Sequence, residues 1–98
     1  MELIRIILPA RNPYAFGFAA LHDMAARREL IRAGWGMVIT LMAEEAIDLG
    51  VAWGRGGHPP VKLRFQAEPG HVYRLFWLQE DFGAAMGAMD VKTGLLHW

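Results

Sequence analysis

Residues 61–79 contain two apolar-rich runs on either side of a Pro-Gly pair, and this segment constrains the fold more than any other. The first run is V-K-L-R-F-Q-A, in which apolar and polar residues alternate with the period of a half-buried strand. The second run, residues 72–78, is apolar except at Arg74, as in a strand covered at least in part on both faces. Pro69 and Gly70 suit the two central positions of a type II turn. The segment therefore predicts two antiparallel strands, joined by a loop wider than the two-residue minimum.

Similar runs predict further strands at residues 3–8, 16–22, 37–42 and 47–53, and a short apolar tail at 95–98. The fold class that follows is all-β: a single domain over residues 1–98, built as a small antiparallel β-sandwich of about seven strands. The expected core consists of Phe18, Trp35, Ile39, Leu49, Val51, Leu63, Phe65, Tyr73 and Leu75.

A helix competes with strands in residues 19–33, which are rich in Ala, Leu, Arg and Glu and end before Gly34. That alternative would make the domain α+β. Its apolar stripe would pass through Leu21 and Met24 and then meet Arg28 and Arg32, which interrupts the face.

Composition restricts the partners. The chain has ten basic and ten acidic residues, so it lacks the strong positive charge typical of nucleic-acid binders. Neutrality also removes repulsion between copies, which favours a protein partner or self-association. There is no cysteine, and the six methionines are expected to fill gaps in the core.

The sequence also bears on cellular location. No apolar run approaches the roughly 20 residues of a transmembrane helix. The first ten residues carry Glu2 and Arg5 and do not match a signal peptide. We expect a cytoplasmic protein by default, or an envelope protein if an export signal has been removed.

The loop at residues 54–60 is the candidate partner contact. Its G-R-G-G-H sequence lacks the Gly-Lys-Ser/Thr ending of a phosphate-binding loop. Trp53, Arg55 and His58 would lie together at one end of the domain, and aromatic and arginine residues on loops commonly anchor interfaces.

Catalytic chemistry has little support in the sequence. A metal enzyme would need His22, His58 and His71 to converge, yet no two histidines have the spacing of a ligand pair. The acidic pairs Glu44-Glu45 and Glu80-Asp81 are expected in solvated turns, and the chain contains no serine. We therefore expect no enzyme activity and no cofactor.

A basic strand face is the alternative for binding. Lys62, Arg64 and Arg74 lie among aromatic residues, as in platforms for single-stranded nucleic acid. Phe65, however, would point away from Lys62 and Arg64, which argues against stacking on that face.

The segments L-I-R-I-I-L-P, L-H-D, L-I-R-A-G-W, M-A-E-E-A-I-D-L-G-V and F-Q-A-E-P-G-H-V-Y-R-L together resemble a small family of bacterial envelope-lipoprotein domains of unknown function, in the style of PEGA and transthyretin-like modules. Gly34-Trp35 would be the family's Gly-aromatic pair, and Gly70, Tyr73 and Leu75 its closing segment, within residues 3–79. Met24 stands where the family has glycine after Asp23. The resemblance implies a β-sandwich without an active site, acting as an accessory or interaction module.

Overall fold

A computed structural model describes residues 1–13, 15, 17–78 and 85–98. Within these residues the chain forms strands and turns without helix, which confirms the all-β prediction. The strands are β1 (Glu2–Ile7), β2 (Ala19–Asp23), β3 (Arg28–Ala33), β4 (Val38–Ala43), β5 (Ile47–Ala52), β6 (Val61–Ala67), β7 (Val72–Trp77), β8 (Met86–Asp90) and β9 (Leu96–His97). Predicted features at Phe16 and at residues 80, 81, 83 and 84 lie outside the described residues.

The strands form two sheets, as expected for a sandwich. One sheet has five strands in the order β4-β1-β7-β8-β9, and the other has four in the order β3-β2-β5-β6. Neighbouring strands are antiparallel except β1 and β7, which are parallel. The predicted antiparallel sandwich is therefore mixed at this one pair among the described strands.

The core contains side chains from both sheets. Ile4 and Ile6 of β1 and Leu75 of β7 belong to the same buried cluster as Leu49 and Val51 of β5. Seven of the nine expected core residues are buried, namely Ile39, Leu49, Val51, Leu63, Phe65, Tyr73 and Leu75.

Two expected core residues lie elsewhere. Phe18 is 62% exposed, because it precedes β2, whose buried residues begin at Ala19. Trp35 is partly buried and packs against the edge of the core. The alternation assigned to residues 16–22 therefore had the wrong phase: Ala19 and Leu21, not Phe18, belong to the core cluster.

The predicted pairing across Pro69-Gly70 is wrong. β6 pairs with β5 in the four-stranded sheet, whereas β7 pairs with β1 and β8 in the five-stranded sheet. The turn itself forms: the His71 N–H donates to the Glu68 carbonyl at 3.2 Å, and Gly70 has a φ of 84°. A type II turn does not match the twist of a hairpin, and here it carries the chain from one sheet to the other.

The helical alternative for residues 19–33 is also overturned. The segment forms β2 and β3, paired antiparallel with a register shift between Leu21 and His22. Asp23 Oδ1 accepts a hydrogen bond from the Ala26 N–H at 3.1 Å in the connecting turn. Arg27 takes the left-handed conformation there, with a φ of 55°. Strand pairing has outweighed helix propensity, which is a weak preference.

Candidate interaction face

The outer surface of the five-stranded sheet is largely apolar. We call this surface the outer face, and the strand registers place on it Leu3, Arg5, Ile7, Val38, Thr40, Met42, Val72, Arg74, Phe76, Gly87, Met89 and Leu96. Val38 and Met42 are 56% and 63% exposed. Leu3 and Leu96 on the same face are 39% and 46% exposed, and neighbouring exposed apolar side chains are typical of interaction sites.

Two arginines lie within the apolar outer face. In the parallel ladder Arg5 is opposite Val72, and Ile7 is opposite Arg74, so the two arginines occupy adjoining positions on neighbouring strands. The outer face contains no acidic residue, and no described carboxylate forms an ion pair with either arginine. The face is therefore apolar with a positive centre.

A shallow recess of about 550 Å³ opens beside Arg5. Its lining combines Leu3 and Val72 of the outer face with the charged residues Glu2, Arg5 and Lys92. The recess therefore combines apolar side chains with charged groups of both signs.

Phe76 of β7 and Gly87 of β8 lie on the part of the outer face that is away from β4. They are register partners on β7 and β8, and a Cβ on Gly87 would lie 2.5 Å from the end of the Phe76 ring. The ring therefore lies over Gly87, where it adds aromatic surface to the face.

The outer side of the four-stranded sheet is polar by contrast. Arg64 donates to both carboxylate oxygens of Asp48, through Nε at 2.8 Å and Nη2 at 2.6 Å. Hydrogen bonding to Arg64 lowers the pKa of Asp48 below its usual value. Gly50, the register partner of Arg64, is covered by the Met24 side chain. Asp48 and Arg64 on this side are therefore paired with each other.

The predicted contact residue Trp53 is a core residue, 1% exposed. Its ring centroid lies 6.4 Å from that of Trp35 and 5.5 Å from that of Trp77. Lys62 Nζ lies 5.0 Å above the Trp53 ring and donates to the Trp53 carbonyl at 2.5 Å. Burial lowers the pKa of Lys62. These contacts attach β6 to the end of β5.

The other two predicted contact residues, Arg55 and His58, are exposed on the loop that follows β5. Arg32 of β3 donates to the Gly57 carbonyl at 3.0 Å and so ties this loop to the adjacent hairpin. The structure thus separates the buried Trp53 ring from the exposed Arg55 and His58, and their role in partner contact stays a prediction.

The three basic residues of the alternative binding site do not share a face. Lys62 and Arg64 are on β6 of the four-stranded sheet, whereas Arg74 is on β7 of the five-stranded sheet. Lys62 contacts Trp53, and Arg64 binds Asp48. The division between sheets follows from the turn at Pro69-Gly70.

His22, His58 and His71 lie on β2, on the loop after β5 and just before β7. Among the described residues, no group of three His, Asp or Glu side chains could hold a metal ion. His71 instead pairs with Asp90, with Nδ1 2.7 Å from Oδ2.

The outer face has a signal in the sequence of β7. Residues 72–78 are apolar at nearly every position, which predicted a strand covered on both faces. In the structure Tyr73 and Leu75 enter the core, and Val72 and Phe76 point to the outer face. Val72 and Phe76 are half-buried there, so the second apolar face of β7 is only partly covered by the described part of the chain.

A scan against protein-family models found no matching family, and searches of curated proteins and of solved structures found no match. Within the described residues, no helix is long and apolar enough to cross a membrane.

Proposed function

We propose that this chain is a non-catalytic interaction module, a β-sandwich that binds a partner protein through the outer face. The observation that supports this most directly is the contrast between the two outer surfaces. One pairs its charges internally through Asp48 and Arg64, and the other exposes apolar side chains around Arg5 and Arg74. The resemblance to envelope-lipoprotein domains implies the same class of function.

The charge of the outer face indicates the chemistry of the partner. Two arginines without a carboxylate on their own face suit a partner surface that combines apolar side chains with Asp or Glu. Arginine and apolar anchors are frequent at the energetic centres of such interfaces. The partner is therefore a protein with an acidic-apolar docking surface.

Photo-crosslinking tests the proposal. A photoreactive phenylalanine at position 72, on the outer face, should capture a host protein from native extract, and the same probe at position 66, on the polar side, should not. With that protein purified, Arg5→Glu combined with Arg74→Glu should weaken binding at least tenfold, because both cations would oppose its carboxylates. Arg28→Glu, an exposed charge reversal on β3, is the matched control. Equal affinity of all variants would contradict the proposal.

A further inference from the structure

The four edges of the two sheets differ in how they are protected against pairing with another strand. β9 is two residues long, β3 carries Arg28, Glu29 and Arg32, and β6 carries Lys62 and Arg64. Short length and charged residues are the usual devices that keep sheet edges apart. β4 has the sequence V-I-T-L-M-A over six residues and carries no charge. No described strand pairs with its far side.

The hydrogen bonds of β1 show which groups of β4 face that open side. The Leu3 carbonyl accepts from the Gly70 N–H at 2.8 Å, and the Arg5 N–H donates to the His71 carbonyl at 3.2 Å, so these alternate residues face away from β4. The even-numbered residue Leu8 instead faces the β4 side, where its N–H donates to the Met37 carbonyl at 3.0 Å.

Because hydrogen-bonded pairs alternate along an antiparallel ladder, Ile39 and Leu41 of β4 bond toward β1. The N–H and C=O groups of Val38, Thr40 and Met42 consequently point to the open edge. The same three residues carry the side chains that β4 contributes to the outer face.

We infer that β4 pairs antiparallel with β4 of a second copy of this chain, about a two-fold axis through Thr40. Opposite residues of such a pair share a face, so Val38 meets Met42 of the partner subunit and Ile39 meets the partner's Leu41. Thr40 lies opposite Thr40 of the partner subunit. Every apolar residue of β4 between 38 and 42 then faces an apolar residue, and the central threonines face each other.

A second copy fits this edge because the strand is complementary to itself in one register. The register also pairs the residues whose backbone groups point outward, which gives about six inter-strand hydrogen bonds. Zero formal charge adds no net repulsion between copies. The two five-stranded sheets become one continuous sheet, and the two outer faces become one surface. A single strand pair is small for an interface, so the dimer forms in the micromolar range.

The absence of cysteine from the chain gives a direct test of the register. In the proposed dimer the Cα atoms at position 40 are about 5.5 Å apart, within disulfide range. Those at position 42 are about 13 Å apart, since four residues separate them along the strand. Under mild oxidation Thr40→Cys should form a disulfide-linked dimer at least ten times faster than Met42→Cys, which is also exposed and lies on the same face. Equal rates, or faster linkage at position 42, would overturn the register.

Sedimentation tests the dimer without cross-linking. The native chain should show a monomer–dimer equilibrium at micromolar concentrations. Thr40→Lys should stay monomeric, because a charged residue at the centre of an edge strand opposes pairing with a second copy. Its circular dichroism spectrum should be unchanged, because the side chain at position 40 is exposed and makes no core contact. A native chain that remains monomeric throughout would overturn the inference. Arg5→Glu with Arg74→Glu changes no residue of β4, so it should leave dimerisation intact while it weakens binding of the captured partner, and failure of the dimer and failure of the proposed function give different results.

Discussion

Nδ1 of His71 lies 2.7 Å from Oδ2 of Asp90, and this contact joins the turn before β7 to the turn after β8. Asp90 is 4% exposed. Its Oδ1 also accepts the Lys92 and Thr93 amides, at 2.9 and 3.4 Å. One buried carboxylate therefore organises two turns at the same end of the sandwich.

Burial by itself raises the pKa of Asp90, but the hydrogen bonds from His71 and from the Lys92 and Thr93 amides outweigh it and hold that pKa below 3.8. The pKa is lower in the folded protein than in the unfolded chain. The ionised carboxylate therefore stabilises the fold at any pH above its ordinary pKa, and this stabilisation is lost as the pH falls through the lowered pKa. Asp90→Asn should cost about 1–3 kcal/mol at pH 7 and should lose less stability than the native chain at low pH.

Urea unfolding measured at pH 7 and at about pH 2 checks this prediction. Glu44→Gln, a change at an exposed carboxylate, is the control and should follow the native chain. If Asp90→Asn lost as much stability on acidification as the native chain does, the contribution assigned to Asp90 would be wrong.

Gly70 should be sensitive to alanine substitution. Its φ of 84° is in the left-handed region, which costs a residue with a Cβ about 1–2 kcal/mol. Gly57 is the matched control, because its φ is not positive and a Cβ there would meet no atom within 4 Å. Chemical denaturation should show Gly70→Ala destabilised by that amount and Gly57→Ala within about 0.5 kcal/mol of the native chain. Equal stabilities would argue against the turn geometry.

Truncation of Trp53 should destabilise the fold far more than truncation of Trp98. Trp53 is 1% exposed, so Trp53→Ala should cost about 3–5 kcal/mol through lost packing and a cavity. Trp98 is 76% exposed, and Trp98→Ala should change stability by less than about 0.5 kcal/mol. Thermal unfolding followed by circular dichroism separates the two. A small loss at Trp53 would instead favour an exposed ring that is available for contact.

Alternation of apolar residues located strands well, because side chains on one face of a sheet recur at every second residue. It placed most of the core, including Leu63 and Phe65 of β6. Alternation does not show which strands pair, because the same pattern occurs in two strands of one hairpin and in two strands that belong to different sheets. The pairing across Pro69-Gly70 failed for this reason, and β3 was missed because its exposed arginines obscure any alternation.

The candidate site was harder to predict for a related reason. Trp53 follows Leu49 and Val51 at every second residue, so the alternation that predicts β5 also predicts that the Trp53 ring points to the core. Proximity to Arg55 and His58 in the sequence suggested a shared surface instead. The outer face could not be located until the sheet order was known, since its residues come from five strands separated along the chain.

Methionine methyl resonances measure most directly whether the outer face is the binding surface. Met42 and Met89 lie on that face, whereas Met24 covers Gly50 on the polar side. In a titration of methyl-labelled chain with the captured partner, the Met42 and Met89 signals should shift and the Met24 signal should remain in place. A shift of Met24 with Met42 and Met89 unchanged would contradict the proposed function.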